Sequence, residues 1–173
     1  MPPTWFTLLI GLVALERAAE LVVAKRNLAW ARRRGGVEHG RGHYAGIVAV
    51  QAGLLGGALL EVWLLGRPFV PALGWPMLAV AVLAQGLRWW CITTLGRRWN
   101  TRVVIVPGLP LVDRGPYRLM PHPNYAAVVA EGIALPLVHT AWLTATLFTV
   151  VNLALLRTRV RVENTALRTA PRA

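Results

Sequence analysis

Five apolar stretches separated by arginine-bearing segments constrain this chain more than any other feature. They run from Thr4 to Ala24, Tyr44 to Leu65, Leu73 to Leu95, Tyr125 to Val138 and Thr140 to Leu156. A helix rises about 1.5 Å per residue and a bilayer's hydrocarbon core is about 30 Å thick, so roughly 20 apolar residues cross it. The first three stretches meet that length. The last two are shorter and are expected to form a helical hairpin turning at Pro136-Leu137-Val138-His139. The expected fold is an all-α integral membrane protein with about five transmembrane helices, a cytoplasmic loop and a C-terminal cytoplasmic helix. It forms one domain over residues 1–173, with three spans in 1–95 and the hairpin part in 96–173. The chain opens Met-Pro-Pro-Thr-Trp without basic residues and runs on into a basic segment with no Ala-x-Ala site, so the first stretch reads as a span and not a removable signal peptide.

Charge then sets the orientation. The formal charge is +12, which by itself would suit nucleic acid, but with 55% apolar residues in long runs there is no soluble surface to present it. Of the 19 basic residues, six lie between the first two stretches (Lys25, Arg26, Arg32, Arg33, Arg34, Arg41). Five lie after the third (Arg97, Arg98, Arg102, Arg114, Arg118) and five in the tail (Arg157, Arg159, Arg161, Arg168, Arg172). The other side holds Arg67 alone, while Arg17 and Arg88 fall inside spans. Short basic loops stay in the cytoplasm, so the N-terminus is expected outside and the C-terminus inside, in the inner (cytoplasmic) membrane. Trp5, Trp63, Trp75 and Trp142 would mark the outer interface, and Trp30 and Trp99 the inner one. The single cysteine, Cys91, excludes an intrachain disulfide, and His39, His43, His122 and His139 lack metal-ligand spacing; no metal is expected.

Ionisable groups in hydrocarbon need a partner, a wet cavity or a function. Glu16, Arg17, Glu20, Arg88 and Glu131 all fall in the cytoplasmic half of their stretches, whereas Glu61 sits near the outer end within reach of Arg67. That asymmetry predicts a polar cavity open to the cytoplasm, with Glu16, Glu20, Arg88 and Trp89 as its substrate-side residues. The alternative is plain ion pairing of Glu16 and Glu20 with Arg88 or the basic loops. Trp89 and Trp90 would either line a lipid pocket or anchor the interface, and His39 and His43 either order the first loop or touch substrate.

The segment from Gly96 to Asn124 is long for a connection and rich in proline, which usually signals function. Val103-Val104-Ile105-Val106 reads as a strand or hairpin on the membrane face. The segment ends in Gly115-Pro116-Tyr117 and His122-Pro123-Asn124-Tyr125, where Pro123 presets a first helical turn whose free amides suit a carboxylate or phosphate. In the tail, Arg159 and Glu163 are four apart and share a helix face.

Gly115-Pro116-Tyr117, His122 to Tyr125 and the tail run Arg159 to Leu167 together resemble the isoprenylcysteine carboxyl methyltransferase family of integral membrane methyltransferases, over about residues 96 to 168. More loosely, Glu16-Arg17, Glu20-Leu21, Ala24 to Asn27, Trp30, Gly36, Glu38 and Gly40 to Tyr44 resemble a small bacterial branch associated with O-methylation of alkylresorcinol and alkylpyrone polyketides. The resemblance implies S-adenosylmethionine as cofactor, held by Tyr117, His122, Asn124, Tyr125 and Glu131, and a reacting end at Arg159 and Glu163. It implies methylation of an oxygen, phenolic, enolic or carboxylate, on a lipophilic substrate such as an alkylresorcinol, alkylpyrone or prenylcysteine. The lipid bilayer and such a small molecule are the expected partners, with a functional link to a polyketide synthase. Pro121, Ala127 and Asn164 depart from the family's Arg, Gly and Glu. The rivals are an NADPH-dependent membrane reductase of the sterol type, which shares a related His-Pro-Asn-Tyr turn, and a non-catalytic membrane scaffold.

Overall fold

The computed structural model describes residues 3–40, 42 and 44–169. Arg41, His43 and Arg172 therefore lie outside the described residues. The elements run α1 (Pro3–Arg32), β1 (Val37–His39), α2 (Tyr44–Leu64), α3 (Pro71–Leu95), a 3-10 turn (Gly96–Arg98), β2 (Val103–Ile105), the short α4 (Pro116–Leu119), α5 (Pro123–Leu137) and α6 (Trp142–Thr169).

Three helices have the length and hydropathy to cross a membrane, over Tyr44–Leu64, Pro71–Arg98 and Trp142–Arg168. The other two long helices differ in kind. α1 has 30 residues but carries Glu16, Arg17 and Glu20 in its middle, and α5 has only 15 residues. The buried positions of α1, Phe6, Ile10, Val13, Glu20, Ala24, Asn27 and Ala31, recur at spacings of three, four and seven, which is one stripe of a helix. Leu8, Leu12 and Leu15 point away from that stripe and are exposed, as suits a helix whose other solvent is lipid.

One end of the bundle is a dry core. Phe6, Ile10, Val13, Ala58, Val62, Leu135, Val138 and Ala141 form a buried cluster there. Trp5, Phe69 and Trp75 meet edge to face around it, at ring separations of 5.5 Å. Helices α5 and α6 approach closely because Gly132 has no side chain: a Cβ there would lie 1.9 Å from the Phe148 ring. The turn between them occupies residues 138–141, two residues later than the expected 136–139, because Pro136 is accommodated in the last turn of α5 and the amides of Val138 and Ala141 bond to Ala134 and Pro136. Thr140 takes a left-handed conformation in that turn, its hydroxyl donating to the Pro68 carbonyl at 2.8 Å. Glu61 does more than pair with Arg67, at 2.9 Å: its carboxylate accepts the α6 amides of Leu143 and Thr144, at 3.1 and 2.7 Å, and so caps that helix.

The opposite, basic end differs from expectation in three respects. The Val103 run forms the expected strand over Val103–Ile105, but its partner lies outside its own segment: it pairs antiparallel with β1, Val37 opposite Ile105 and His39 opposite Val103. The two loops are thereby joined through backbone that neither could satisfy alone. The tail is not a separate cytoplasmic helix, since α6 runs unbroken to Thr169; its last turns contain no proline or glycine to stop it. Trp99, expected at the inner interface, is 2% exposed and packs against Ala24 and Ile92. Asn27 locks this arrangement by donating to the Trp99 carbonyl at 2.7 Å, and Asn100 returns a bond to the Ala24 carbonyl at 3.2 Å.

Candidate functional site

Positive φ is required at Gly115, where a Cβ would also meet Thr94 Oγ1 at 2.6 Å, so only glycine turns the chain into α4 and sets Tyr117 against α3. Tyr117 contacts Cys91, and burial pushes its phenol well above the usual range, keeping it a protonated donor. Pro123 then starts α5 with no side chain capping its amides. That leaves the positive end of a 15-residue helix facing the site.

These elements enclose a polar cavity of about 100 Å³ whose walls include Tyr117, His122, Asn124, Tyr125, Arg159 and Glu163. Tyr125 is its hub. Its hydroxyl donates to Glu163 and accepts from Arg159 Nε at 2.9 Å, its ring stacks on His122 at 5.3 Å, and the Arg159 guanidinium lies 5.4 Å from the ring centre. His122 Nε2 lies 3.2 Å from Asn164 Oδ1, and its Nδ1 is 4.0 Å from Glu163. A second cavity of about 300 Å³, largely apolar, runs between α1, α2 and α6 past Leu21, Ile47, Val48, Leu55 and Leu156. The two share one wall, made by Trp99, Asn100, Asn124, Tyr125 and Arg159.

A scan of protein families matches residues 77–169 to the isoprenylcysteine carboxyl methyltransferase (ICMT) family. The chain belongs to this family. It is a membrane protein and a methyltransferase by that membership. It is 38% identical over 163 residues to the uncharacterised Bacillus subtilis (strain 168) protein YpbQ, covering 94% of this chain and 96% of that protein. No solved structure matches it.

The ICMT motifs fall into two groups in space. Tyr117, His122, Asn124, Tyr125, Arg159 and Glu163 come together around the polar cavity, although 42 residues separate His122 from Asn164. Glu131 does not join them. Its carboxylate pairs with Arg17 and lies 3.9 Å from Arg88, and Arg88 in turn holds Glu20 at 2.5 and 3.0 Å. Arg17 also bonds Glu20 at 2.8 Å, so two guanidinium groups and two carboxylates neutralise one another in a buried cluster. Glu20, Arg17 and Arg88 line the end of the apolar cavity, whereas Glu16 faces a groove between α1 and α3 and accepts from Trp89 Nε1 at 2.5 Å. Of the proposed substrate-side residues, then, the structure brings Glu20 and Arg88 to the cavity and sets Glu16 and Trp89 apart from it.

The three departures from the ICMT pattern have local accommodations. Asn164 still contacts His122, Ala127 is buried in the packing face of α5, and Pro121 is exposed just before the helix. Several contributors carried no sequence signal. Asn100 and Asn152 are isolated polar residues with no motif around them, and Trp99 reads from the sequence only as an interfacial marker. Tyr44 lines the apolar cavity beneath Arg102, whose guanidinium lies 4.3 Å above its ring, and Glu38 of β1 holds Arg102 at 2.6 Å and raises its pKa. His39 lies in β1 and lines a small cavity with Tyr44 and Arg159. Among the described residues no group of three His, Cys, Asp or Glu side chains is placed to hold a metal ion.

Proposed function

We propose that this chain transfers a methyl group from S-adenosylmethionine to an oxygen of a lipophilic substrate at the wall where the two cavities meet. That shared wall carries the proposal: a polar chamber and an apolar one touch at Tyr125 and Arg159, which is what joining a charged, water-soluble donor to a lipid acceptor requires. The acceptor class is an alkylresorcinol, an alkylpyrone or a prenylcysteine, and a polyketide synthase is the partner activity that would supply the first two. The topology that suits this chemistry has five spans, with the N-terminus outside and the C-terminus in the cytoplasm of the inner membrane. It is supported by the sequence, in which sixteen of 19 basic residues fall in the two loops and the tail that this topology assigns to one side.

The residues fit the cofactor. Asn124 Oδ1 is buried without a hydrogen-bond partner on the shared wall, and the start of α5, which no side chain caps, turns its positive end to the site. When bound, the sulfonium supplies an electrophilic methyl group for in-line displacement, and no metal is needed to activate it. Tyr117, His122, Asn124 and Tyr125 hold and orient it. Glu163 accepts the acceptor's hydroxyl proton, Arg159 stabilises the resulting oxyanion, and Tyr125 fixes the two relative to one another. The surrounding apolar wall keeps water from competing as nucleophile.

Labelled S-adenosylmethionine should be retained by the purified protein, with NADPH excluded. Glu163→Gln should lose roughly 10²- to 10⁴-fold in turnover while binding cofactor, the range of general acid–base catalysis. For a phenolic acceptor that loss should shrink as pH rises toward the phenol's own pKa. Arg159→Lys should also fail, since a point charge does not reproduce a planar two-point contact. Retention of NADPH instead, or near-normal turnover in both variants, would sink the proposal.

A further inference from the structure

Helices α5 and α6 meet tightly at Gly132, but toward the basic end an open groove of about 690 Å³ lies between Ala126, Val129 and Ala130 of α5 and Leu153 and Val160 of α6. Two of the three α5 side chains there are single methyl groups, which leaves the space unfilled. Arg157 and Arg161 line the groove as well, four residues apart and so on one face of α6. Both are exposed, and neither has a hydrogen-bond or ion-pair partner among the described residues. No carboxylate lines the groove. The proposed reaction uses neither arginine.

Helix α6 sets the depth of the two charges. It is long and apolar enough to cross a membrane over Trp142–Arg168. At about 1.5 Å per residue, Arg157 and Arg161 lie about 23 and 29 Å along it from Trp142, near the level where a hydrocarbon core about 30 Å thick gives way to head groups. Arginine stems cover apolar surface while their guanidinium groups reach that interface, where they bind phosphate oxygens through charge-assisted hydrogen bonds. An apolar groove open to lipid thus ends at two unpaired cations at phosphate level. A neutral or cationic amphiphile would leave both charges unmatched. A second copy docked here about a two-fold axis would set the arginines against their own images.

We propose that this groove binds one anionic phospholipid of the leaflet that meets the basic end, its phosphate between Arg157 and Arg161 and one acyl chain along Ala126, Val129 and Ala130. The lipid supplies the negative charge that the groove lacks and the apolar chain that its floor lacks. This site is separate from the apolar cavity assigned to the acceptor, which lies between α1, α2 and α6; Tyr125 and Leu156 line both spaces and form the partition between them. The bound chain backs that partition from the bilayer side. Neither the phospholipid site nor the methyl-transfer proposal requires the other, so each can fail alone.

The experiment is equilibrium binding of two tail-matched lipids, dioleoylphosphatidylglycerol and dioleoylphosphatidylcholine, to the full chain in neutral detergent at low ionic strength, with no methyl donor present. The anionic lipid should bind roughly 30-fold more tightly, about fivefold for each of two arginines at a membrane surface. Arg157→Gln with Arg161→Gln should abolish that preference. Lys25→Gln with Arg26→Gln removes the same charge from another exposed part of the basic end and should change it by less than about threefold, since distant surface charges are screened. Ala130→Phe fills the groove and should weaken both lipids at least about fivefold; Ala126→Phe, at an exposed position, serves if that variant does not fold. Equal binding of the two lipids by the unaltered chain overturns the proposal. Equal losses in the two charge variants also overturn it, because the attraction would then be to the whole basic surface. So does unaltered binding in a folded groove-filled variant, or displacement of the lipid by an equal concentration of inorganic phosphate, either of which would leave an anion contact with no seat for a chain.

Discussion

Replacing Tyr125 by phenylalanine removes one oxygen and keeps the ring that stacks on His122. That oxygen joins Arg159 to Glu163, accepting from the first at 2.9 Å and donating to the second. A hydrogen bond to a charged partner contributes about 1.5–3 kcal/mol. Without it, Glu163 can pair directly with Arg159 across one helical turn, which returns about 0.3–0.5 kcal/mol at most. The net loss of positioning, about 1–2.7 kcal/mol, corresponds to roughly a 5- to 100-fold fall in turnover. Cofactor affinity should change little, because the stacked ring and the start of α5 remain. The assay pairs labelled-methyl turnover with cofactor binding on the same detergent preparation. The double variant Tyr125→Phe with Glu163→Gln should be no worse than Glu163→Gln alone, since both act on one carboxylate. Turnover within twofold of the unaltered protein, or cofactor affinity falling in step with turnover, would refute the bridging role and return Tyr125 to a pure cofactor contact.

Arg88→Leu should destabilise the chain by about 3–5 kcal/mol, read as denaturant resistance in detergent, because Glu20 and Glu131 would outnumber Arg17 in a buried cluster. Arg88→Leu with Glu20→Leu should recover most of that loss, and a double variant as weak as the single would show that the cluster is not electrostatically coupled. Burial under Trp5, Phe6 and Phe69 holds the His139 pKa below 6.5, so the folded state binds fewer protons there than the unfolded one. Stability is then full above pH 6.5 and falls as pH drops through it. His139→Gln, which keeps a donor for the Arg67 carbonyl, should flatten that dependence in thermal melts. A reporter fused after Ala173 should be active in its cytoplasmic format and one in the 66–72 loop in its external format; a cytoplasmic signal from the loop would sink the five-span topology.

Hydropathy is a local property, and so the positions of the long helices, the hairpin and the basic loops were legible in the chain. Length and apolar content over some twenty neighbouring residues decide whether a segment prefers lipid, whatever lies elsewhere. The motif residues of the polar cavity were equally legible, because Pro123 and the four-residue spacing of Arg159 and Glu163 act through their own helices. What tertiary structure alone decided is which charges meet. Arg17 finds Glu131 across 114 positions, and Arg88 finds Glu20 across 68. No local pattern distinguishes those pairings from Glu16 with Arg88, since each carboxylate has the same chemistry and only the helix azimuth separates Glu16, turned toward Trp89, from Glu20, turned inward. The joining of β1 to β2 and the burial of Trp99 were hidden for the same reason: two loops supply one half each of a ladder, and neither half is a strand until helices α1 and α3 bring them side by side.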